Sequence, residues 1–326
     1  MKKIDSTLLP QAVFGTNAEI WCDELIAPGT FTLGENVSIR AHRVQLGHNA
    51  HVQNGTTVRG LDREMEEFCL GDESLLGFNC QVLVPRFSMG DYSQVFHSGL
   101  LSGYKPITIG HNCWIGQSTI LNSAETLTIG NNVRMGGCQI WTHVASGELL
   151  EGSRFYSEKP VTVEDNVWLM GFGHTISPGV TLAKFTVVMA GSVVSKSTEP
   201  YKTYSGIPAK DITNLLPAWR PMSVDHKIDM LRSFVREFIS RHSEFADRVH
   251  FMNLCTEGDI GYFGQLLQDE IPQLIFAPEV DLEKYRVSRQ TIIDVSSKRY
   301  LKRRSDIEIK WMKFAIGYRA RFIPYD

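Results

Sequence analysis

The chain has 326 residues, a net charge of −3 and 43% hydrophobic residues. This length leaves room for two domains, and the small net charge argues against a dedicated nucleic-acid-binding protein. No apolar run approaches the ~18 residues that a membrane-spanning helix needs, and the N-terminal segment lacks the apolar core of a signal peptide. Together with six cysteines that lack metal-type spacing, these features predict a cytoplasmic protein without membrane insertion.

A six-residue repeat runs through most of the first 210 residues. Each copy has an aliphatic residue, usually followed by Gly, then two variable residues and a small residue. Such a period predicts a stacked repeat architecture, here a hexapeptide β-helix. Clear copies begin at Leu33, Leu46, Leu76, Met89, Ile109, Ile115 and Ile129, and degenerate copies begin at Val163 and Leu182.

The repeat has a simple physical interpretation. Each hexad forms one short strand and one corner, and its aliphatic residue points into a narrow prism. Gly and Asn recur at the corners because they tolerate unusual backbone dihedral angles. About three hexads complete one triangular coil, and stacked coils bury each other's edges. The residues alone do not determine the hand of the coil.

Three segments interrupt the repeat: Arg59 to Phe68, Gly99 to Pro106, and the longest, Val144 to Pro160. Because a coil buries its own backbone, an insertion has to leave the prism at a corner. We therefore expect these segments to protrude as loops, which is where binding residues often lie on a rigid scaffold.

The repeat stops near residue 210, which divides the chain into a predicted β-helix domain, 1–212, and a second domain, 213–326. Residues Ser223 to His242 predict an amphipathic helix with Ser223 as its N-cap. Short apolar runs and a basic, aromatic tail follow, so we expect a small mixed α/β domain of unknown role. The apolar runs are Val249 to Met252 and Ile271 to Phe276.

The stretch from Ile129 to Lys210 carries the motifs DNVWL, SPGVTL, AGSVVSK and SGIPAK in that order. This stretch closely resembles the hexapeptide-repeat acyltransferases, above all the group that acetylates sugars and antibiotics, and the resemblance covers roughly residues 30–212. It implies a mainly β fold, a left-handed parallel β-helix with protruding loops, followed by the small α/β domain. It also implies acetyl-CoA as the donor, no metal, and a homotrimer whose active sites lie between neighbouring prisms.

The same resemblance assigns site residues. His143 matches the general base of the family, and an imidazole suits this role at neutral pH; His97 and His174 are reserve candidates for the base. The long loop would supply acceptor contacts, with Lys159 as a further candidate. The predicted substrate-binding set is His97, Trp141, Arg154, Tyr156 and Trp168.

Coenzyme A would lie along the later coils, where small residues let the backbone approach the pantetheine arm. The chain departs from the family pattern by one extra residue between Val167 and Val180, and by Met170 and Met189 at positions where Gly is frequent. A bulge there is one possible consequence. The predicted donor-binding residues are Gly171, Gly173, Ala190, Gly191 and Ser192, with Lys196 and Lys210 for the phosphates.

Alternative functions remain open. The first interpretation is transfer of acetyl to a hydroxyl of a saccharide, such as a surface polysaccharide or its precursor. The second is N-acetylation of an amino sugar or nucleotide sugar, because the sequence does not separate an attacking hydroxyl from an amine. A metal enzyme or inert scaffold on the same fold is a third, although no two histidines show the five-residue spacing of hexapeptide carbonic anhydrases. His48 and His51 are three residues apart in an early coil.

Overall fold

The computed structural model describes residues 1–145, 147–253 and 257–325. The chain forms two compact units, Met1–Trp219 and Arg220–Asp326. The predicted boundary after residue 212 lies a few residues before this division. Among the described residues, no helix is long and apolar enough to cross a membrane.

The first unit is a left-handed parallel β-helix, as predicted, with three sheets that the chain visits in turn. We call them sheets I, II and III in the order of each coil. Sheet I contains Ala12–Phe14, Phe31–Leu33, Ala50–Val52, Leu75–Leu76, Gln94–Val95, Trp114–Ile115, Arg134–Met135, Trp168–Leu169, Val187–Val188, Thr203–Gly206 and Ala209–Asp211. Sheet II contains Lys2–Lys3, Glu19–Cys22, Ser38–Arg40, Thr57–Arg59, Gln81–Leu83, Leu100–Gly103, Ile120–Ser123, Cys138–Ile140, His174–Ile176 and Val193–Val194. Sheet III contains Glu24–Ile26, Arg43–Leu46, Glu67–Leu70, Arg86–Met89, Ile107–Ile109, Leu127–Ile129, Val161–Val163 and Thr181–Leu182.

The core of this unit is the column of repeat residues that point into the prism. Ile39, Val58, Ile115 and Leu127 are fully buried, and Cys113 occupies one of the small inward positions. Neighbouring coils pair in parallel register, so equivalent residues stack above one another along the prism. Adjacent strands of a sheet lie ~4.8 Å apart, so each coil advances the chain by this distance along the prism axis.

A ladder of side-chain acceptors stabilises the corner between sheets III and I. At this corner the backbone N–H of one coil donates to a side chain of the next coil, at 2.6–2.9 Å. The residue that follows each acceptor has a positive φ, such as 58° at Asn112 and 57° at Asn132. This explains why Asn is frequent in the hexads. The ladder residues are His48, Asp72, Asp91, His111, Asn131 and Asp165.

Two of the three predicted interruptions leave the prism, and both do so at the corner between sheets II and III. One is the segment 60–66, and the other is 141–160, which contains an antiparallel pair of short strands, His143–Ala145 and Tyr156–Glu158. Ser146 of this second segment lies outside the described residues.

The predicted excursion at Gly99 to Pro106 is wrong. Leu100–Gly103 is a strand of sheet II that pairs with Gln81–Leu83 and Ile120–Ser123. Gly103 is buried in this strand, and a Cβ there would lie 2.3 Å from the carbonyl carbon of Ser123. Gly103 therefore allows two neighbouring coils to approach closely, and it does not form a turn.

The second unit is a mixed α/β domain, as predicted. Its five-stranded sheet has the order Val249–Phe251, Leu274–Ala277, Thr291–Asp294, Arg299–Tyr300, Ile323–Pro324, and the first three strands are parallel. Its helices are α1 (Val224–Arg241), α2 (Glu257–Gln268) and α3 (Asp306–Gly317). Short 3₁₀ helices cover Ser243–Arg248 and Leu282–Tyr285 here, and Ser6–Leu8 in the first unit.

Helix α1 confirms the amphipathic pattern read from the sequence. The side chain of Ser223 caps it by accepting a hydrogen bond from the backbone N–H of His226. Leu231, Val235 and Phe238 form its buried face.

Candidate active site

His143 lies at the corner between sheets II and III, three residues after the end of the strand Cys138–Ile140. It begins the first strand of the protruding hairpin, where it pairs with Glu158. The ring is half-buried, and the indole of Trp141 approaches it edge-on with centroids 5.9 Å apart. This is the position that the family resemblance implies for a general base.

The orientation of the His143 ring is set by Asn122, which lies on the preceding coil of sheet II. Nδ1 of His143 is 2.8 Å from Oδ1 of Asn122. The same oxygen is 3.3 Å from the backbone nitrogen of Ala124 and 3.3 Å from the hydroxyl of Thr142. The backbone N–H can only donate, so this atom is the amide oxygen and Nδ1 of His143 carries the proton. Nε2 then bears the lone pair that a base needs.

Asn122 was not identified from the sequence. The neighbouring residues in the sequence carry no distinguishing feature. The contact of Asn122 with His143 depends on the stacking of one coil on the next. The register pairs Ile120 with Gln139 and Leu121 with Ile140, which brings Asn122 beneath the start of the loop. Only a correct coil alignment could have indicated it.

The two reserve histidines lie elsewhere. His97 is exposed at the corner between sheets I and II, where its Nδ1 accepts the backbone N–H of Phe78 at 3.2 Å. His174 is 1% exposed, and its Nε2 bonds the carbonyl of Met170 at 3.0 Å. Burial lowers the pKa of His174. Its ring lies inside the prism, where it cannot contact a bound saccharide.

The loop residues predicted for acceptor binding stand in solvent. Arg154 and Lys159 are exposed, and the hydroxyl of Tyr156 donates to Glu158 at 2.6 Å. The loop also exposes large apolar side chains, with Leu150 94% and Phe155 72% exposed. An apolar surface of this kind is typical of a segment that packs against a partner.

The small residues predicted for the donor share one corner, between sheets I and II, in two successive coils. Gly171, Gly173 and Gly191 have φ angles of 82°, 83° and 70°. A Cβ on Gly171 would lie 2.8 Å from the Cβ of Ala190, whereas a Cβ on Gly191 would meet nothing within 4 Å. These residues therefore form a strip of bare backbone that a thin ligand could approach.

The extra residue in this part of the chain forms a bulge, and the preceding coil compensates for it. Only Gly136 and Gly137 connect sheets I and II in that coil. The ring of Phe172 lies over them, since a Cβ on Gly137 would be 2.1 Å from its Cε2. Phe172 remains 62% exposed, so the bulge adds an aromatic side chain to the donor edge.

The other predicted donor residues are divided between faces. The hydroxyl of Ser192 is buried and bonds Met189 and Gly206, so only its backbone could serve a ligand. Lys210 is exposed on the last strand of sheet I, and Lys196 is exposed beyond the opposite edge of sheet II.

Trp168 lies on the outer face of sheet I, next to the donor edge. Its ring meets the ring of Trp219 edge-on at 6.1 Å, and Trp219 in turn packs against Phe185 at 5.1 Å. Trp168 therefore packs against the chain that follows the last coil. This contact does not conflict with a second role as a wall of the donor groove.

Within one chain, the candidate base and the donor strip lie at opposite edges of sheet II. Gly173 precedes the strand His174–Ile176, whereas His143 follows the strand Cys138–Ile140 with which it pairs. A three-residue strand spans about 10 Å. Among the described residues, no group of three or more His, Cys, Asp or Glu could hold a metal ion.

Comparison with known proteins agrees with the resemblance. The galactoside O-acetyltransferase of Escherichia coli is 32% identical over 112 residues, which are 33% of this chain and 54% of the relative. The galactoside O-acetyltransferase of Lactococcus lactis is 31% identical over 124 residues, 38% of this chain and 54% of the relative. The chain thus spans about half the length of the curated relatives it matches.

Among solved structures, a hexapeptide-repeat acetyltransferase from Vibrio cholerae matches with 24% identity and a TM-score of 0.31, over 45% of this chain and 72% of that one. No protein-family model matches the chain. The similarity of the repeat unit to named acetyltransferases agrees with the resemblance inferred from its motifs.

Proposed function

We propose that this chain transfers an acetyl group from acetyl-CoA to a hydroxyl of a saccharide, with His143 as general base. One observation carries the proposal: the hydrogen bond from Nδ1 of His143 to Asn122 leaves Nε2 as the free base beside a protruding loop. The curated relatives named galactoside O-acetyltransferases support the choice of acetyl and saccharide.

The reaction needs no nucleophile from the protein. The acceptor hydroxyl donates its proton to Nε2 of His143 while its oxygen attacks the thioester carbonyl carbon. The tetrahedral intermediate collapses, the carbon–sulfur bond breaks, and the thiolate of CoA takes the proton from the imidazolium. Asn122 holds the ring throughout, and base catalysis of this kind typically contributes about 10²–10⁴-fold.

The active site is proposed to form between two chains. The donor strip and His143 lie on opposite edges of sheet II, so the thioester would reach the base from a neighbouring prism. The exposed side chains of Leu149, Leu150 and Phe155 on the loop supply an apolar surface for that contact. A homotrimer closes such a heterologous interface into three equivalent sites.

The protruding loop is proposed to select the acceptor. It carries His143 at its start, and Arg154 and Tyr156 on its exposed part. Guanidinium and phenol groups suit hydroxyl-rich or acidic sugars.

The test is release of CoA thiol from acetyl-CoA in the presence of a panel of saccharides. We expect His143→Ala to lower turnover by at least about 10²-fold and to leave CoA binding unchanged. His42→Ala is the matched control, because His42 lies at the same corner between sheets II and III but in an early coil, and it should retain turnover. Transfer to galactosamine but not to galactose would favour N-acetylation instead, and near-wild-type turnover in His143→Ala would contradict the assigned base.

A further inference from the structure

Arg134 occupies an unusual position on the outer face of sheet I. The strand Arg134–Met135 buries Met135 in the prism and turns Arg134 outward. In the register of the sheet, Arg134 lies between Trp114 on one side and Trp168 on the other. It belongs to the same coil as His143.

The guanidinium of Arg134 has no acceptor among the described residues. Its Nε is buried and makes no hydrogen bond, and no carboxylate of those residues forms an ion pair with it. Burial lowers the pKa of Arg134, although a guanidinium remains charged at any physiological pH. A partly buried charge without a partner is costly to a fold, which suggests that a ligand supplies the partner.

A second orphaned donor lies beside the same tryptophan. Nε1 of Trp219 is buried and likewise makes no hydrogen bond within the described chain. The ring of Trp219 meets that of Trp168 at 6.1 Å. An indole N–H and a guanidinium can only donate. Two buried donors beside Trp168 therefore lack acceptors within the described part of the chain, whereas buried polar groups in proteins are almost always paired.

We propose that the outer face of sheet I around Trp168 binds an oxyanion carried by the acceptor saccharide, a carboxylate or a phosphate, through Arg134 and Trp219. The parallel N–H donors of the Arg134 guanidinium can bind either group in a bidentate manner. This inference rests on the proposed acetyl transfer, and it narrows the acceptor to an acidic saccharide.

The position of Arg134 along the prism favours the acceptor over the phosphates of CoA. Lys210, the predicted phosphate ligand on this face, lies four strands further along sheet I, which is about 19 Å at ~4.8 Å per strand. The phosphates and the thioester of acetyl-CoA lie at opposite ends of the pantetheine arm. With the phosphates at Lys210, Arg134 lies towards the thioester, where the acceptor must bind.

Binding can be measured directly through the fluorescence of Trp168 and Trp219 and by calorimetry. The probes are matched pairs, glucuronate with glucose and galacturonate with galactose, together with inorganic phosphate. We expect the full chain to bind an acidic probe at least about 10-fold more tightly than its neutral partner, the usual scale of a charged hydrogen bond. Arg134→Met should abolish this preference, and Trp219→Phe should weaken it.

The matched control is Gln94→Met, which changes an outward residue of the same sheet two strands away from Arg134 and should keep the preference. Arg134→Met should melt no lower than the wild type without ligand, because it removes an unpaired charge. A lower melting temperature of Arg134→Met in the absence of any probe would show a structural role and overturn the proposal, as would equal binding of acidic and neutral probes to the wild type.

A parallel binding measurement with CoA tests whether the oxyanion belongs to the donor instead of the acceptor saccharide. If Arg134→Met weakens binding of CoA but not of 3′-dephospho-CoA, the arginine binds the donor and the acceptor assignment is wrong. The proposed function has its own test. It is contradicted if the wild type releases no thiol with any saccharide. Acetylation of neutral sugars without a preference for acidic sugars contradicts only the present inference.

Discussion

The Nδ1 atom of His143 lies 2.8 Å from Oδ1 of Asn122, one coil earlier in the prism. A backbone N–H and a hydroxyl converge on the same amide oxygen, so the tautomer of His143 follows from the stacking of the coils. The acceptor of this hydrogen bond is a neutral amide rather than a carboxylate.

Substitution of Asn122 tests this arrangement through the pH dependence of the reaction. Asn122→Asp keeps the acceptor oxygen but adds a negative charge, which favours the imidazolium. We expect the acid limb of the kcat/KM profile to move to higher pH. Asn122→Ala should lower kcat by about 10-fold or more without changing the KM for acetyl-CoA, because the ring loses its orientation. A merely structural Asn122 would change the melting temperature in both variants and leave the pH profile in place.

Complementation between inactive chains tests the shared active site. Gly191→Trp places an indole in open space on the donor strip at a position with φ of 70°, and should abolish CoA binding. Mixing it with His143→Ala after co-refolding should restore part of the activity, because some interfaces combine an intact base with an intact donor strip. Light scattering gives the mass of the assembly, and an active monomer at assay concentration would refute the shared site.

The corner ladder makes a prediction about stability. Nδ1 of His111 accepts the backbone N–H of Asp91 at 2.9 Å, and Asp91 is 4% exposed. His111→Phe leaves this donor without its acceptor and should lower the free energy of unfolding by about 1–3 kcal/mol. His111→Asn should cost less, since Asn131 fills the same role one coil later. Urea denaturation measures both, and equal losses would mean that ring packing, not the hydrogen bond, matters at this corner.

Glu308 in helix α3 predicts a pH dependence of the second unit. It is 1% exposed and accepts hydrogen bonds from the hydroxyl of Thr291 and the backbone N–H of Arg303, both at 2.6 Å. Burial raises its pKa above 4.5. The folded state therefore holds a proton that the unfolded state releases, and stability from Glu308 falls as pH rises from about 4.5 through the folded pKa.

Glu308→Gln mimics the protonated acid and should remove this dependence. The difference in unfolding free energy between the variant and the wild type should shift in favour of Gln as pH rises above 4.5. Glu279→Gln, on the same unit, is the control for loss of one negative charge. Parallel curves for wild type and Glu308→Gln across the pH range would contradict the prediction.

The fold could be predicted from the sequence because the hexad pattern directly indicates which residues point into the prism. The error at Leu100–Gly103 arises because the segment from Gly99 to Pro106 departs from the repeat in sequence, whereas its Gly103 permits close approach of Ser123. The position of His143 was accessible through the family motif. Asn122, Arg134 and Trp219 were not, because their significance lies in contacts between coils, and a linear pattern does not show which buried donors lack acceptors.

The connections from sheet III to sheet I stay short and uniform, whereas both insertions leave the prism at one corner, between sheets II and III. Length changes at this corner need not disturb the register of any sheet. The chain thus separates the part of the molecule that can vary from the part that must remain constant. Acceptor preference could be reassigned by exchanging the segment 144–160 for that of another β-helix, with His143, Asn122 and the donor strip left in place.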